Sequence, residues 1–326
     1  MDIKDIILYL KPQLERVETQ INASLKSDIS LLDGTNRSLR ENGGKMIRPV
    51  LALLVGQACG QVSEDSIRFA AAAELMHNAT LLHDDVVDGA TERRGMPTVA
   101  SMLNSPAAVL IGDFWLVRCM QTILGAEHYS EEVIRIYAKT LSDLAEGELL
   151  QMQKAASADT TQEDYIRIIF SKTASLFEAS ALSAAISVSA PQHIREAVTA
   201  YARNLGLAFQ IRDDMFDYEA DDAQVGKPVG IDLREQKITQ PLLCALETVS
   251  EEEALQIRKK VAGILDHPEW VEEVHAFVVR QDGLSLSRKK LDFYTAEAIS
   301  CLDILPESEE KRYLAKLARF VAERNK

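Results

Sequence analysis

The sequence predicts an all-α protein, one large helical bundle spanning residues 1–326. Three observations predict it. Apolar residues recur at spacings of three and four along nearly every segment, the period of a helix with one buried face. Alanine, leucine and glutamate are abundant, whereas alternating stretches bounded by turns are scarce. The 15 glycines and nine prolines fall mostly between the periodic blocks, where helices stop. About a dozen helices fit between those stops.

In chain order, Ile3, Ile6, Ile7, Leu10 and Leu14 form the first apolar stripe, and Gly43-Gly44 breaks the pattern after it. Residues 66–88, SIRFAAAAELMHNATLLHDDVVD, have no clean polar face, so they predict a buried helix. Gly89, Gly95 to Pro97 and Pro106 interrupt the chain next. Val133, Ile136, Tyr137, Thr140, Leu141 and Leu144 make another helical stripe. Pro191 precedes a second helix that is apolar nearly all round, residues 198–218, VTAYARNLGLAFQIRDDMFDY. Gly226 to Gly230, Pro241, His267-Pro268 and Pro306 punctuate the rest. No repeat, low-complexity linker or composition break divides the chain, so a single domain is expected.

Hydrophobic content of 47% with 26% charged residues reads as soluble and globular. Net charge is −14, from 50 acidic against 36 basic residues. That balance argues against nucleic acid as a partner and against docking on an anionic membrane. Cys59, Cys119, Cys244 and Cys301 stand far apart without a CxxC pair, so neither a zinc site nor a disulfide framework is expected. Free thiols in a reducing cytosol fit better, which makes the expected location cytoplasmic. The N-terminus, MDIKDIILYLKPQLERVETQ, lacks the features of a signal peptide. No charge-free apolar run reaches about 18 residues, so no membrane span is predicted.

The chemistry gathers at LLHDDVVDGATERRG, residues 81–95. Asp84 and Asp88 are four apart and share a helix face, and Asp85, about 100° round, can reach the same spot from the side. A helix C-terminus disfavours anions, so carboxylates stacked there make sense when a cation is bound. IRDDMFDY repeats the pattern with Asp213, Asp214 and Asp217, again ending a buried helix. If the helices face each other, their carboxylates line one cavity mouth. Hard oxygen ligands without nearby cysteine favour Mg²⁺, which takes carboxylates, waters and substrate phosphate.

Matching cations lie beside glycine- or acid-rich turns: Lys45 and Arg48 in GGKMIRP, Arg93 and Arg94, Lys172 in FSKTASLFEAS, Lys227 in VGKPVGIDL, and Lys237 in REQKITQP. Each alone reads as a solvated surface charge. Together with magnesium, they could balance the roughly six negative charges of two diphosphates.

With these motifs in order, LLHDDVVD with ERRG, FQIRDDMFDY, GGKMIRP, SKTASLFEAS and GKPVGIDLREQKITQPLL, the chain resembles the trans-type polyprenyl diphosphate synthases over nearly its whole length. One departure is Gln236 before Lys237, where many members have glycine. The resemblance implies the isoprenoid synthase type of bundle, with a central active-site cavity. It implies that isopentenyl diphosphate is joined to an allylic diphosphate, farnesyl or geranyl, with release of pyrophosphate. Asp84, Asp88 and Asp213, assisted by Asp85, Asp214 and Asp217, would hold magnesium on the allylic diphosphate. Arg93, Lys172, Lys227 and Lys237 would grip that group. Lys45, Arg48, His77 and Arg94 would hold isopentenyl diphosphate. Thr173 and Gln210, with Lys172, would serve the reacting centre. A homodimer is implied as well.

Helical phase agrees with one wall: His77, Thr80 or Leu81, Asp84 and Asp88 share a face, as do Gln210, Asp213 or Asp214, and Asp217. The growing apolar tail should run down the helix behind Asp84, past Ala79 and Thr80. In the family, bulky aromatics at these two positions stop the chain early. Ala70 to Ala73 are also small, with Met76 the first bulky residue between; Met76, Trp115, Met120 or Ile123 could close the far end. Such a helix, about 35 Å long, accommodates some six to nine isoprene units of roughly 5 Å, a chain of about C30 to C50 centred on C40 to C45. Products of that size serve quinone side chains in the family and imply transient membrane contact on release.

Other readings are a short-chain synthase, a class I terpene cyclase, an HD-type phosphohydrolase built on His83-Asp84, and a non-catalytic synthase subunit. A cyclase normally carries Asn, Ser and Glu in its second metal motif and does not need Lys45 and Arg48. A phosphohydrolase needs several converging histidines, and His128, His193, His267 and His275 lie in polar stretches. Non-catalytic subunits tend to lose their aspartates, whereas all six are present.

Overall fold

The structure, a computed structural model, describes residues 3–41, 44–219 and 230–324. Helices dominate, in this order: α1 Lys4–Ser24, α2 Ser30–Glu41, α3 Ile47–Cys59, α4 Glu64–Val87, α5 Val99–Met102, α6 Ser105–Leu124, α7 Ser130–Ser157, α8 Gln162–Ile169, α9 Ser175–Ser187 and α10 Gln192–Glu219. After them come α11 Ile231–Arg234, α12 Gln240–Leu246, α13 Glu251–Ala262, α14 Trp270–Arg280, α15 Gly283–Ser300 and α16 Glu309–Glu323. One continuous apolar core runs from Ile3 to Ala322. The expected all-α fold is what the chain adopts.

The two helices without a polar face are central. α4 packs against α1, α3, α6 and α9; α10 packs against α9, α15 and α16. α9 touches both, and its sequence, SLFEASALSAAIS, is mostly small residues that let neighbouring backbones approach. α4 starts earlier than its apolar pattern suggests because Ser63 and Ser66 cap it reciprocally, at 3.2 and 3.0 Å. α10 likewise begins at Gln192, just past Pro191, which cannot continue a preceding helix.

Two local features were not predicted. Between α8 and α9, residues Phe170–Ala174 widen into one π-helical turn, a geometry often found at functional sites. Gly147 of α7 and Gly206 of α10 let the flanking helices close on it. A Cβ at either would lie 2.5 Å from Ser171 or Ala174. The other is a hairpin that pairs Glu92–Arg93 with Met96–Pro97. Its turn residues Arg94 and Gly95 both have positive φ, 54° and 77°, as a tight two-residue hairpin turn requires.

The expectation of no membrane span needs one correction. α6 is long and apolar enough to cross a bilayer by length and composition, although it contains Asp113 and Arg118. It behaves as a core helix on one side, burying Ala108, Ile111, Trp115, Cys119 and Ile123. Its other side leaves Leu110, Val117 and Leu124 68%, 54% and 60% exposed.

Candidate active site

The C-terminal ends of α4 and α10 open on one cavity of about 450 Å³. α4 contributes His77, Thr80, Leu81 and Asp84; α10 contributes Phe209, Gln210, Asp213 and Asp214. These are the helical phases that the spacing predicts. The π-turn projects Lys172 and Thr173 into the same space, and Arg48, Arg93, Arg94 and Lys237 also line it.

Burial sets the electrostatics. It pushes the Asp84 carboxyl up to about 6, with Lys172 pulling the other way. It pushes Asp214 up to about 7, against hydrogen bonds from Tyr165 (2.7 Å) and Gln210 (2.9 Å). Asp213 is also raised by burial, opposed by Arg324 at 2.6 Å. Burial, helped by Arg48 and Arg94, holds His77 well below its usual value, so its imidazole is neutral. Arg48 is lowered to about 10 by burial, opposed by Glu74, and lies 5.0 Å over the Phe177 ring.

Internal bonds pre-position several groups. Thr173 donates to Gln210 Oε1 at 2.7 Å, leaving two dipoles fixed beside each other in the cavity. Lys172 is held by Glu148 (2.6 Å) and Gln151 (3.2 Å) on α7. Lys237 pairs with Glu235 (2.5 Å) and reaches to 3.6 Å from Asp88, so it spans from the α11 side to the end of α4.

Some predicted residues sit elsewhere. Asp85 does not share the cavity with Asp84: it is buried toward a smaller neighbouring cavity, where Arg93 Nε donates to it at 2.6 Å. Its helical phase sets it apart, and the hairpin captures it. Asp217 is also occupied, accepting from the backbone N–H groups of Ile231 (2.9 Å) and Asp232 (3.0 Å) at the start of α11. Asp88 stands at the rim rather than on the cavity wall. Lys45 lies outside the lining, its Nζ 5.5 Å from the Phe320 ring centroid. Met76 and Ala79 are wholly buried in the core, and of the three proposed chain-length residues only Thr80 faces the cavity. Lys227 lies outside the described residues.

Sequence reasoning missed Arg324, Tyr165, Glu148 and Gln151. Arg324 comes from beyond the end of α16, 111 residues from its partner Asp213, with no local pattern to mark it. Tyr165 and the α7 pair follow ordinary helical spacing and become visible only once α8 and α7 meet the π-turn.

Residues 30–278 match the polyprenyl synthetase family. An octaprenyl diphosphate synthase from Haemophilus influenzae is 36% identical over 325 residues, covering 100% of this chain and 98% of its own. An all-trans-nonaprenyl-diphosphate synthase (geranyl-diphosphate specific) from Rhodobacter capsulatus is 34% identical, with 98% of each chain covered. Among solved structures, a polyprenyl synthase from Caulobacter crescentus, complexed with calcium and isoprenyl diphosphate, superposes with a TM-score of 0.91 at 30% identity, covering 100% of this chain and 98% of that one. By its matched length, its motifs and its fold, this chain belongs to the polyprenyl synthetase family.

Proposed function

We propose that this protein extends an allylic diphosphate, farnesyl or geranyl, by successive head-to-tail addition of isopentenyl diphosphate, with magnesium, to an all-trans chain of about C40 to C45. One observation carries the reading: Asp84 from α4 and Asp213 and Asp214 from α10 line a single cavity with Arg93, Lys172 and Lys237. Carboxylates facing cations across a confined space suit a metal diphosphate.

The donor set fits magnesium. Among the described residues no three acidic or histidine side chains close on one point. Asp84, Asp213 and Asp214 on one cavity wall suit an ion that keeps its waters and takes substrate phosphate oxygens alongside one or two carboxylates. Burial has raised Asp84, Asp213 and Asp214, so a cation that favours their ionised forms would be welcome there. Asp84 and Asp213 would hold it, with Asp214 and Asp88 beside them; Asp85 and Asp217 would orient the flanking segments through their present bonds. When bound, magnesium would neutralise the diphosphate and ease its departure.

Arg93, Lys172 and Lys237 would grip the allylic diphosphate as its C–O bond breaks and the pyrophosphate leaves with the electron pair. Arg48, Arg94 and the neutral His77 would hold isopentenyl diphosphate. The isopentenyl double bond attacks the allylic cation, and the proton then lost goes to pyrophosphate. Thr173 and Gln210 offer dipoles near that cation without a strong base.

The exposed Leu110, Val117 and Leu124 recur every seven residues along α6, which supports a homodimer formed through that face. We further propose a cytoplasmic protein that meets membranes only while releasing product. The test is incubation of purified protein with magnesium, farnesyl diphosphate and labelled isopentenyl diphosphate, then sizing of the dephosphorylated chains. A ladder ending near C40 to C45 is expected. Cyclic hydrocarbon formed without isopentenyl diphosphate would overturn the reading.

A further inference from the structure

We propose that Gln236 is a positioning residue for Lys237, stapling the turn that carries this lysine to the end of α13. The proposal rests on the reading of Lys237 as a diphosphate-gripping group.

The backbone poses the question. α11 ends in a closed turn in which the Gln236 N–H reaches Leu233 O at 2.9 Å and the Lys237 N–H reaches Asp232 O at 2.8 Å. Those two bonds need the residue between them in the left-handed region, and Gln236 has φ 58°. Glycine holds such a turn with least strain, because a Cβ is crowded there. A glutamine needs a compensating reason, and its side chain supplies one. Its Nε2 donates to Ala262 O at 2.6 Å and, more distantly, to Val261 O at 3.4 Å. These are the last carbonyls of α13, which a helix cannot satisfy internally.

The opposite end of the same segment is fixed too. Asp217 accepts from the N–H groups of Ile231 and Asp232, so α11 is held to α10 in front and to α13 behind. Lys237 follows directly, and its Nζ lines the cavity 3.6 Å from Asp88. A lysine on a turn clamped at both ends spends little freedom on meeting a diphosphate. With glycine at 236, the rear clamp would be gone.

Three variants separate staple from strain. Gln236→Glu keeps the shape but cannot donate to Ala262. Gln236→Gly relieves the backbone but lacks the side chain. Gln236→Arg restores a donor. Steady-state rates and hydrogen exchange of the Lys237 amide are measured for each. Gln236→Glu and Gln236→Gly should both raise the KM for the allylic diphosphate about five- to tenfold, the weight of one hydrogen bond. The KM for isopentenyl diphosphate should stay within about twofold, as for a site away from that substrate. Both variants should also speed exchange of the Lys237 amide, and Gln236→Arg should recover both readouts. The proposal is overturned if Gln236→Gly keeps the wild-type allylic KM and amide protection, or if both KM values move together. A wild-type protein that does not consume isopentenyl diphosphate would instead sink the functional reading, while the exchange measurement would still decide on the staple.

Discussion

The Arg324 guanidinium lies 2.6 Å from the Asp213 carboxylate, donates to Phe209 O at 3.0 Å and stacks 3.8 Å over the Phe209 ring. A tethered cation therefore occupies the first aspartate of the second acidic motif. Its own carbonyl accepts from Arg212 Nε at 3.0 Å, so three hydrogen bonds tie the segment to α10. A metal ion approaching Asp213 competes with this arginine. Arg324→Ala should lower the magnesium concentration for half-maximal rate about three- to tenfold, the range of one charge-assisted bond. Magnesium titrations of pyrophosphate release check it, and an unchanged requirement would count against competition.

Asp84→Ala and Asp213→Ala should each remove most turnover, by about a hundredfold or more, as loss of a principal electrostatic contact does. Neither residue supports the core, so helix content by circular dichroism should hold. Near-normal rates in either variant would refute the metal assignment.

The wall behind Asp84 now separates two residues that looked equivalent. Thr80 faces the cavity, whereas Ala79 is fully buried among packed helices. Thr80→Phe should shorten the product with the fold intact. Ala79→Phe should lose about 1–3 kcal/mol of stability through overpacking. Product sizing and thermal melts distinguish them; an unshortened product from Thr80→Phe would refute this route for the tail.

Burial raises Asp84 to about 6 and Asp214 to about 7, from an ordinary 3.8. The folded protein then keeps protons that the unfolded chain has already lost. Stability from these groups is present at low pH and falls as pH rises from about 4 to 7. A bound cation favours the ionised forms and offsets that loss. Magnesium with a diphosphate should therefore raise Tm more at pH 8 than at pH 6, by a few degrees. Equal increments would contradict the assignment.

What could be read from the sequence was local. The faces of α4 and α10 follow from helical phase, so Asp84, His77, Gln210 and Asp213 were legible as cavity residues. What was not legible depends on distant partners. Asp85 has the same spacing logic as its neighbours, yet Arg93 in the hairpin draws it aside. Asp217 looks like a third ligand, yet it caps α11. The π-turn that aims Lys172 arises where Gly147 and Gly206 let α7 and α10 close in, a fit between helices that no single stretch encodes. The left-handed Gln236 is likewise set by the turn that ends α11, and the glutamine itself offers no hint of it.

The most direct measurement is a crystal structure with magnesium and an unreactive allylic diphosphate analogue. The account predicts that oxygens of both Asp84 and Asp213 contact metal beside the diphosphate. Metal on only one of the two helix ends, with the other carboxylate facing away from the diphosphate, would contradict it.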